Sequence, residues 1–299
     1  MFYENPYFYP QVPNVQKGVP YYPIGYVPNP YQFGYPLPYY YEHSSHHSHR
    51  HHHSSRQLPQ FKHGPERISE RPPHTQHVDW HSLFPNEVIL SGPTDRKIVA
   101  LTFDDGPDDV WTPQILAVLA QYQIKATFNC VGSRVAQNPQ MLQRMAREGH
   151  ILANHSWDHP NFTKITLAEA RDEIERTSQE IQRVAGVRPR YFRPPYGALD
   201  RDVIDEVIKL GYKILFWDVD SLDWAGLTGP QAAANVLAHT GPGAIILMHF
   251  AGGKGESLED TVQALPYIIT TLREEGYSFD TVPQLINQPP YRSSHKNKK

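Results

Sequence analysis

Five apolar runs of the sequence are each followed by ionisable side chains of the types that bind metal ions and transfer protons. In chain order these are Asp104 and Asp105 in TFDDGP, His155 and His159 in NHSWDHP, Arg193 in RPPYG, Asp220 and Asp223 in DVDSLDW, and His249 in IILMHF. Adjacent carboxylates repel each other and raise each other's pKa, so the presence of Asp104 next to Asp105 has to be explained. Different tasks for the two aspartates would supply one, and an ordinary Asp-Gly-Pro turn is the structural alternative.

The two histidines are four positions apart, so a single turn of chain brings both imidazoles within reach of one ion. Pro160 disfavours the α conformation at His159, so we expect a turn in a loop. Two imidazoles and one carboxylate, with a position left for water, form the ligand set of a catalytic zinc site, and Asp105 supplies the carboxylate. Zinc is the default expectation, although such sites also accept cobalt, nickel or iron. The alternative is an unrelated pair of surface histidines.

The remaining groups have types suited to supporting such a site. Arg193 would pair with and orient a carboxylate. His249 would act as a general acid, with Asp223 holding its imidazolium and Trp224 providing a flat apolar wall. The structural alternatives are a charged strand end, a buried core histidine and ordinary packing.

The elements that must position these groups alternate between strands and helices from about residue 96 onward. Strands are predicted at 97–103, 126–131, 150–154, 190–193, 213–219, 244–249 and 278–282. Amphipathic helices are predicted at 112–123, 134–148, 166–185, 200–210, 231–239 and 258–275. This alternation is typical of a parallel α/β fold, and we expect a barrel of about seven strands, with an open doubly wound sheet as the alternative. The carboxyl ends of barrel strands share one face, where active sites are built.

Composition argues against several other classes of protein. The 299 residues carry a formal net charge of −3 and one cysteine, Cys130, so nothing indicates nucleic acid as a partner and no internal disulfide is possible. The N-terminus, MFYENPYFYPQVPNV, has neither a basic nor a continuous apolar segment, so it is not a typical signal peptide. No apolar run approaches the roughly 18 residues of a membrane span.

The first 80 residues differ in composition from the rest. Residues 1–41 hold 11 of the 18 tyrosines and 9 prolines, and residues 43–56 are HSSHHSHRHHHSSR. Proline favours extended conformations over a packed core, so we expect a disordered Tyr/Pro/His-rich segment. The histidine tract has three interpretations, which are a solvated linker, a loose binder of transition-metal ions and a patch that becomes cationic at low pH.

At these motifs the chain resembles the polysaccharide deacetylases of the NodB-homology type, carbohydrate esterase family 4. TFDDGP, HSWDH, RPPYG, DSLDW and LMH stand in that family's order and approximate spacing, over about residues 96 to 288. The resemblance implies a distorted (β/α) barrel of about seven parallel strands. It also implies metal-dependent removal of acetyl groups from N-acetylated sugars of a peptidoglycan or chitin-like polysaccharide. The alternative enzymatic activity is that of an O-acetyl esterase on acetylated glycans.

The resemblance also implies a role for each matching residue. Asp105, His155 and His159 resemble the metal ligands, Asp104 the general base, and Arg193 the residue that positions the base. Tyr196 resembles the residue whose backbone N–H binds the oxyanion, His249 the acid, and Asp223 the partner that tunes it. Trp224 and Leu247 resemble the apolar walls around the acetyl methyl. One departure is Phe250, which follows His249 where many members carry Asp. We expect it to alter local packing or substrate preference.

Three segments follow from these observations. We expect a disordered extension at 1–80, a catalytic domain at 96–288 and a basic tail at 289–299. The extension is similar in composition to spore-coat proteins, which suggests coat or envelope proteins as partners and the bacterial cell envelope or spore coat as the location, with the cytoplasm as the alternative. A structural coat or envelope protein with a passive sugar-binding barrel is the non-enzymatic alternative.

Overall fold

The architecture is a curled sheet of parallel strands with helices packed on its outside. A computed structural model describes residues 79–253 and 256–293. Within these ranges the nine strands are β1 Val88–Ile89, β2 Ile98–Asp104, β3 Thr127–Cys130, β4 Ile151–Asn154, β5 Tyr191–Phe192, β6 Lys213–Leu215, β7 Val219–Asp220, β8 Ile245–His249 and β9 Ser278–Phe279. Their order across the sheet is β1-β6-β5-β4-β3-β2-β8-β7, with β9 pairing with β2 at its amino end.

The order of the strands distinguishes this sheet from a doubly wound one. Strands β2 to β6 are neighbours in chain order and pair in parallel, as do all the named strands of the sheet. A doubly wound sheet would instead reverse direction near its first strand. The predicted distorted (β/α) barrel is therefore confirmed.

The longer helices cover the sheet by burying one apolar stripe each, whereas the short helix at Trp80–Leu83 has no buried residue. The helices of the described ranges are α1 Trp80–Leu83, α2 Thr112–Gln121, α3 Gly132–Gln137, α4 Pro139–Arg147, α5 Leu167–Ala185, α6 Arg201–Lys209, α7 Gly229–His239, α8 Glu259–Glu274 and α9 Val282–Leu285. The longest, α5, begins at a capping box between Thr166 and Glu169 and ends at Gly186, whose φ is 73°. A capping box and a left-handed glycine are typical of the two ends of a helix.

Two predicted elements are each divided in the structure. The strand predicted at 213–219 is β6 and β7, because the chain changes partners between them. The N–H of Phe216 donates to the carbonyl of Ile89 in β1, whereas the N–H of Asp218 donates to the carbonyl of Ile245 in β8. The helix predicted at 134–148 is α3 and α4, because Pro139 disfavours the α conformation at the residue before it, and Asn138 has φ −126° and ψ 53°.

Strand β1 and helix α1 were not predicted, and β1 pairs with β6 through Val88 and Ile89. The predicted Tyr/Pro/His-rich segment, apart from residues 79 and 80, lies outside the described residues, as does most of the basic tail. The boundaries 1–80, 96–288 and 289–299 stay predictions. Over the described ranges, no helix combines the length and apolar character needed to cross a membrane.

Candidate active site

The carboxyl ends of the central strands bring the predicted site residues together. Asp104, the last residue of β2, lies opposite Asn129 in β3 and opposite His249 in β8. On the next strand Cys130 lies opposite Asn154, which immediately precedes His155. Strands β2, β4 and β8, with β3 between β2 and β4, therefore deliver an aspartate pair and two histidine-bearing segments to one edge of the sheet.

Asp105, His155 and His159 form a compact buried triangle. Oδ1 of Asp105 lies 3.3 Å from Nε2 of His155 and 3.3 Å from Nε2 of His159. Two ligand atoms each about 2.1 Å from a tetrahedral zinc ion would lie about 3.4 Å apart. The three ligand atoms all lie within 4.8 Å of one another. The residues therefore fit a divalent cation in both ligand type and spacing.

The surroundings of the triangle set the orientation of His155 and the protonation of His159 and Asp105. Nδ1 of His155 lies 2.7 Å from the carbonyl oxygen of Arg193, which leaves Nε2 to face the site, as expected of a metal-binding histidine. Burial lowers the pKa of His159 to about 3, so this imidazole is neutral at pH 7. Burial acts to raise the pKa of Asp105, but the neighbouring imidazoles outweigh it and hold that pKa below its usual value.

Asp104 is not part of this triangle, and its two carboxylate oxygens have different surroundings. Its Oδ1 accepts hydrogen bonds from Nη1 of Arg193 at 2.8 Å and from Nδ2 of Asn129 at 2.6 Å. Its Oδ2 lies 3.6 Å from Nε2 of His155, so this oxygen faces the position that a cation would occupy. Arg193 is fully buried and also donates to Thr102 and to the carbonyls of Leu215 and Phe216, which fixes the guanidinium in place.

His249 is paired with Asp223. Nδ1 of His249 lies 2.7 Å from Oδ1 of Asp223, and Oδ2 of Asp223 accepts the backbone N–H of His249 and the hydroxyl of Thr261, both at 2.9 Å. Burial disfavours the charged imidazolium, but Asp223 and the more distant Asp104 and Asp105 carboxylates outweigh it and raise the pKa of His249 to about 10. His249 is therefore protonated at neutral pH.

Of the other predicted residues, Tyr196 contacts a candidate ligand, and Leu247 and Trp224 lie close in the chain to His249 and Asp223. Tyr196 has a positive φ of 61°, and its ring stands edge-on to that of His159, with the centroids 4.6 Å apart. Leu247 is buried in β8. Trp224 is half-buried, and its indole N–H donates to Oδ1 of Asp220, 3.2 Å away. Asp220 thus holds a tryptophan and is not in the metal triangle.

Phe250 is a packing residue beneath the Asp104–Gly106 turn. It is fully buried, its ring centroid lies 4.8 Å from that of Phe128, and its N–H donates to the carbonyl of Asp104. A Cβ at Gly106 would lie 2.3 Å from this ring. Phe250 therefore packs against this turn, and the His249–Asp223 pair is present beside it; the effect of Phe250 on substrate preference stays a prediction.

Two residues that contact site carboxylates were not predicted from the sequence: Asn129, which donates to Asp104, and Thr261, which donates to Asp223. Asn129 was detectable, because an amide within the apolar run at 126–131 must find hydrogen-bond partners when buried. Thr261 lies on α8, 38 positions from Asp223 in the chain, and one hydroxyl on an amphipathic helix gives no comparable signal.

Comparisons with known proteins agree with this arrangement. The family model "Polysaccharide deacetylase" matches residues 91–215. The peptidoglycan-N-acetylglucosamine deacetylase of Bacillus cereus is 39% identical over 197 residues, which are 66% of this chain and 71% of that protein. The crystal structure of the Bc1960 peptidoglycan N-acetylglucosamine deacetylase, in complex with 4-naphthalen-1-yl-N-oxidanyl-benzamide, has a TM-score of 0.69 at 35% identity, covering 72% of this chain and 100% of that one.

A curled parallel sheet with a carboxylate–imidazole cluster at its strand ends defines a metal-dependent hydrolase class. Within that class, the chain belongs to the polysaccharide deacetylase family, carbohydrate esterase family 4. The family also includes BA3943 of Bacillus anthracis, described as a pseudoenzyme, whose wild-type structure has a TM-score of 0.61 at 29% identity and covers 66% of this chain and 68% of its own. The side chains present at the site must therefore support any statement about catalysis.

Proposed function

We propose that this protein is a divalent-metal-dependent deacetylase that hydrolyses the N-acetyl group of N-acetylglucosamine units in peptidoglycan or a chitin-like polysaccharide and releases acetate. The observation that carries this proposal is the separation of tasks at the site. Asp105 converges with two imidazoles, while Asp104 is held apart by Arg193 and His249 is held by Asp223. A passive sugar-binding protein has no need for a ligand set, a base and an acid in one place.

The cation would be held by Asp105, His155 and His159, and zinc is the metal that these ligands and distances favour. When bound, the cation would polarise the acetyl carbonyl and lower the pKa of a water molecule toward about 7. Oδ2 of Asp104 faces this position and takes the proton of the attacking water. Arg193 and Asn129 hold the other oxygen of Asp104, so that the carboxylate is already oriented when the substrate binds.

The second proton transfer belongs to His249. The amine of the sugar is a poor leaving group unless it is protonated, and His249 is charged at neutral pH because of Asp223. The backbone N–H of Tyr196 stabilises the oxyanion of the tetrahedral intermediate; the left-handed backbone of this residue beside His159 supports this role. Trp224 and Leu247 form the apolar walls around the acetyl methyl.

Acetate release tests the proposal. The purified chain with added Zn²⁺ should release acetate from N-acetylglucosamine oligomers, and a chelator should stop it. His155→Ala and His249→Ala variants should each be inactive, but only His155→Ala should lose the metal. A protein that binds these oligomers and releases no acetate with any of zinc, cobalt, nickel or iron would be a passive sugar binder, and the proposal would be wrong.

Two further parts of the proposal concern the nearest enzymatic alternative and the N-terminal segment. An ester is easier to hydrolyse than an amide, so an O-acetylated xylan belongs in the same assay, and faster release from it would favour the esterase. Residues 1–80 would serve as an anchor to coat or envelope proteins, leaving residues 96–288 as the catalytic domain. Deletion of residues 1–78 should then change localisation and leave acetate release unchanged.

A further inference from the structure

The turn that carries both candidate histidine ligands has a strained backbone. Ser156 has φ 65° and His159 has φ 58°, in the left-handed region that residues other than glycine rarely adopt. Such conformations persist only where the surroundings hold them. Because both imidazoles must point at Asp105, whatever holds this turn also sets how well the three ligands converge.

The N–H groups of the turn are all accepted by side-chain oxygens. Ser156 donates to Oδ1 of Asn154 at 2.9 Å, and His159 donates to Oγ of Ser156 at 3.0 Å. The two N–H groups between them, those of Trp157 and Asp158, both donate to Oε2 of Glu173, each at 2.8 Å. The acceptors Asn154 and Ser156 belong to the same stretch of chain as the turn, whereas Glu173 lies on a separate element, helix α5.

The carbonyl side of the turn is held by helix α3. The N–H groups of Gly132 and Ser133 donate to the carbonyls of Ser156 and Trp157 at 2.9 and 3.0 Å. The approach is close, since a Cβ at Gly132 would lie 2.5 Å from the Trp157 ring. The turn is thus bonded from α3 on one side and from Glu173 on the other.

Helix α5 is a rigid support for this contact. Its inner face is buried, and Asn154 also donates to α5, at the carbonyl of Ile174 and the hydroxyl of Ser178. One turn beyond Glu173, the guanidinium of Arg176 lies 4.2 Å from the centroid of the Trp157 ring. The helix therefore meets the backbone of the turn and also its largest side chain.

We propose that Glu173 is a positioning residue that sets the metal affinity of the site, by accepting the two central N–H groups of the Ser156–His159 turn. The proposal rests on the metal triangle of the proposed function. Without Glu173 the two N–H groups lose their acceptor, and the turn can relax out of the left-handed conformations that aim the imidazoles. Residues that orient metal ligands in this way change metal affinity by about 10–100-fold when they are removed.

Zinc affinity of the full-length chain, measured by competition with a chromophoric chelator, tests this role. The seven histidines within residues 43–53 can also bind Zn²⁺, so the His155→Ala variant provides the background to be subtracted. Glu173→Ala should bind Zn²⁺ about 10–100-fold more weakly at the triangle. Glu173→Gln should stay within about threefold of the unaltered protein, because one amide oxygen can accept both N–H groups. Glu180→Gln is the matched control, since Glu180 lies on the same helix and pairs with Arg183.

Each outcome bears on a different statement. Unaltered zinc affinity in Glu173→Ala, with the loss seen in His155→Ala, would overturn the role of Glu173 and leave the metal site standing. Equal weakening in Glu173→Gln and Glu173→Ala would overturn the hydrogen-bond explanation. If urea unfolding shows that metal-free Glu173→Ala is not folded, Glu173→Asp takes its place, because its carboxylate is one methylene too short to reach both N–H groups. Weaker zinc binding in Glu173→Asp then supports the positioning role of Glu173, and unaltered binding overturns it. Unaltered binding in His155→Ala would contradict the triangle itself.

Discussion

Replacement of Asp223 by Asn should move the alkaline limb of the pH profile, because Asp223 keeps His249 protonated. Three hydrogen bonds converge on the Asp223 carboxylate, and two of them come from His249. With Asp223 ionised, the pKa of His249 is raised to about 10 despite burial. With a neutral amide at 223, the largest contribution that opposes burial is lost, so the pKa of His249 falls toward the ordinary histidine value of about 6.5.

The expected loss of activity depends on pH, and its sign follows from the acid role of His249. At pH 8 about 99% of the imidazole is protonated with a pKa of 10, and about 3% with a pKa of 6.5, a ratio of about 30. A cation on Asp105 offsets the contribution of that carboxylate and lowers the wild-type pKa of His249, so about 30 is the upper end of the expected ratio. At pH 5.5 both proteins are mostly protonated, so the difference in activity should become smaller.

The assay is kcat/KM for acetate release from an N-acetylglucosamine oligomer between pH 5 and 10, which reports the ionisations of the free enzyme. Thr261→Val is the graded control, since it removes one hydrogen bond from Asp223 and keeps the charge. Its alkaline limb should move less than that of Asp223→Asn. An Asp223→Asn profile parallel to the wild-type profile, reduced equally at every pH, would refute the reasoning.

Three other changes give distinct expected results. Asp104→Asn should keep the metal, measured by elemental analysis, and lower kcat/KM by about 100-fold or more; full activity would remove Asp104 from the role of base. Gly106→Ala should lower the free energy of unfolding, measured by urea denaturation, by about 1–3 kcal/mol, because the new Cβ would lie 2.3 Å from the Phe250 ring. Unchanged stability would show that the backbone or the ring can move to accommodate the methyl group. Burial lowers the pKa of His150 to about 4, so as pH falls the unfolded chain binds a proton before the folded chain does. The free energy of unfolding should therefore fall by up to about 3 kcal/mol as pH drops from about 6.5 to 4. His150→Gln should lose that part of the pH dependence, and a variant with the same dependence as the unaltered protein would contradict this assignment.

Much of the fold could be predicted because its signals are local. Thr166 and Glu169, three positions apart, mark the start of α5, and Gly186, directly after its last residue, marks its end. Strand β1 is different, since two residues carry no periodicity and Val88–Ile89 forms a strand only by pairing with β6. The division of 213–219 into β6 and β7 has the same origin, because a change of pairing partner is decided by the sheet and not by the segment.

The candidate site follows the same rule. The residue types at the strand ends were visible in the sequence, and the parallel fold alone implied that they meet. The supports were not visible. Glu173 is one of several acidic residues on an amphipathic helix, and only the structure shows its carboxylate accepting hydrogen bonds from two backbone N–H groups of the turn at 156–159.

The position of the metal is the measurement that tests the account most directly. Crystals of the protein grown with Zn²⁺ should give an anomalous difference peak at the zinc absorption edge about 2.0–2.2 Å from Oδ1 of Asp105 and from Nε2 of His155 and His159, with Oδ2 of Asp104 facing it and not bound to it. A strong peak elsewhere, with these three side chains pointing away from a common point, would contradict the account.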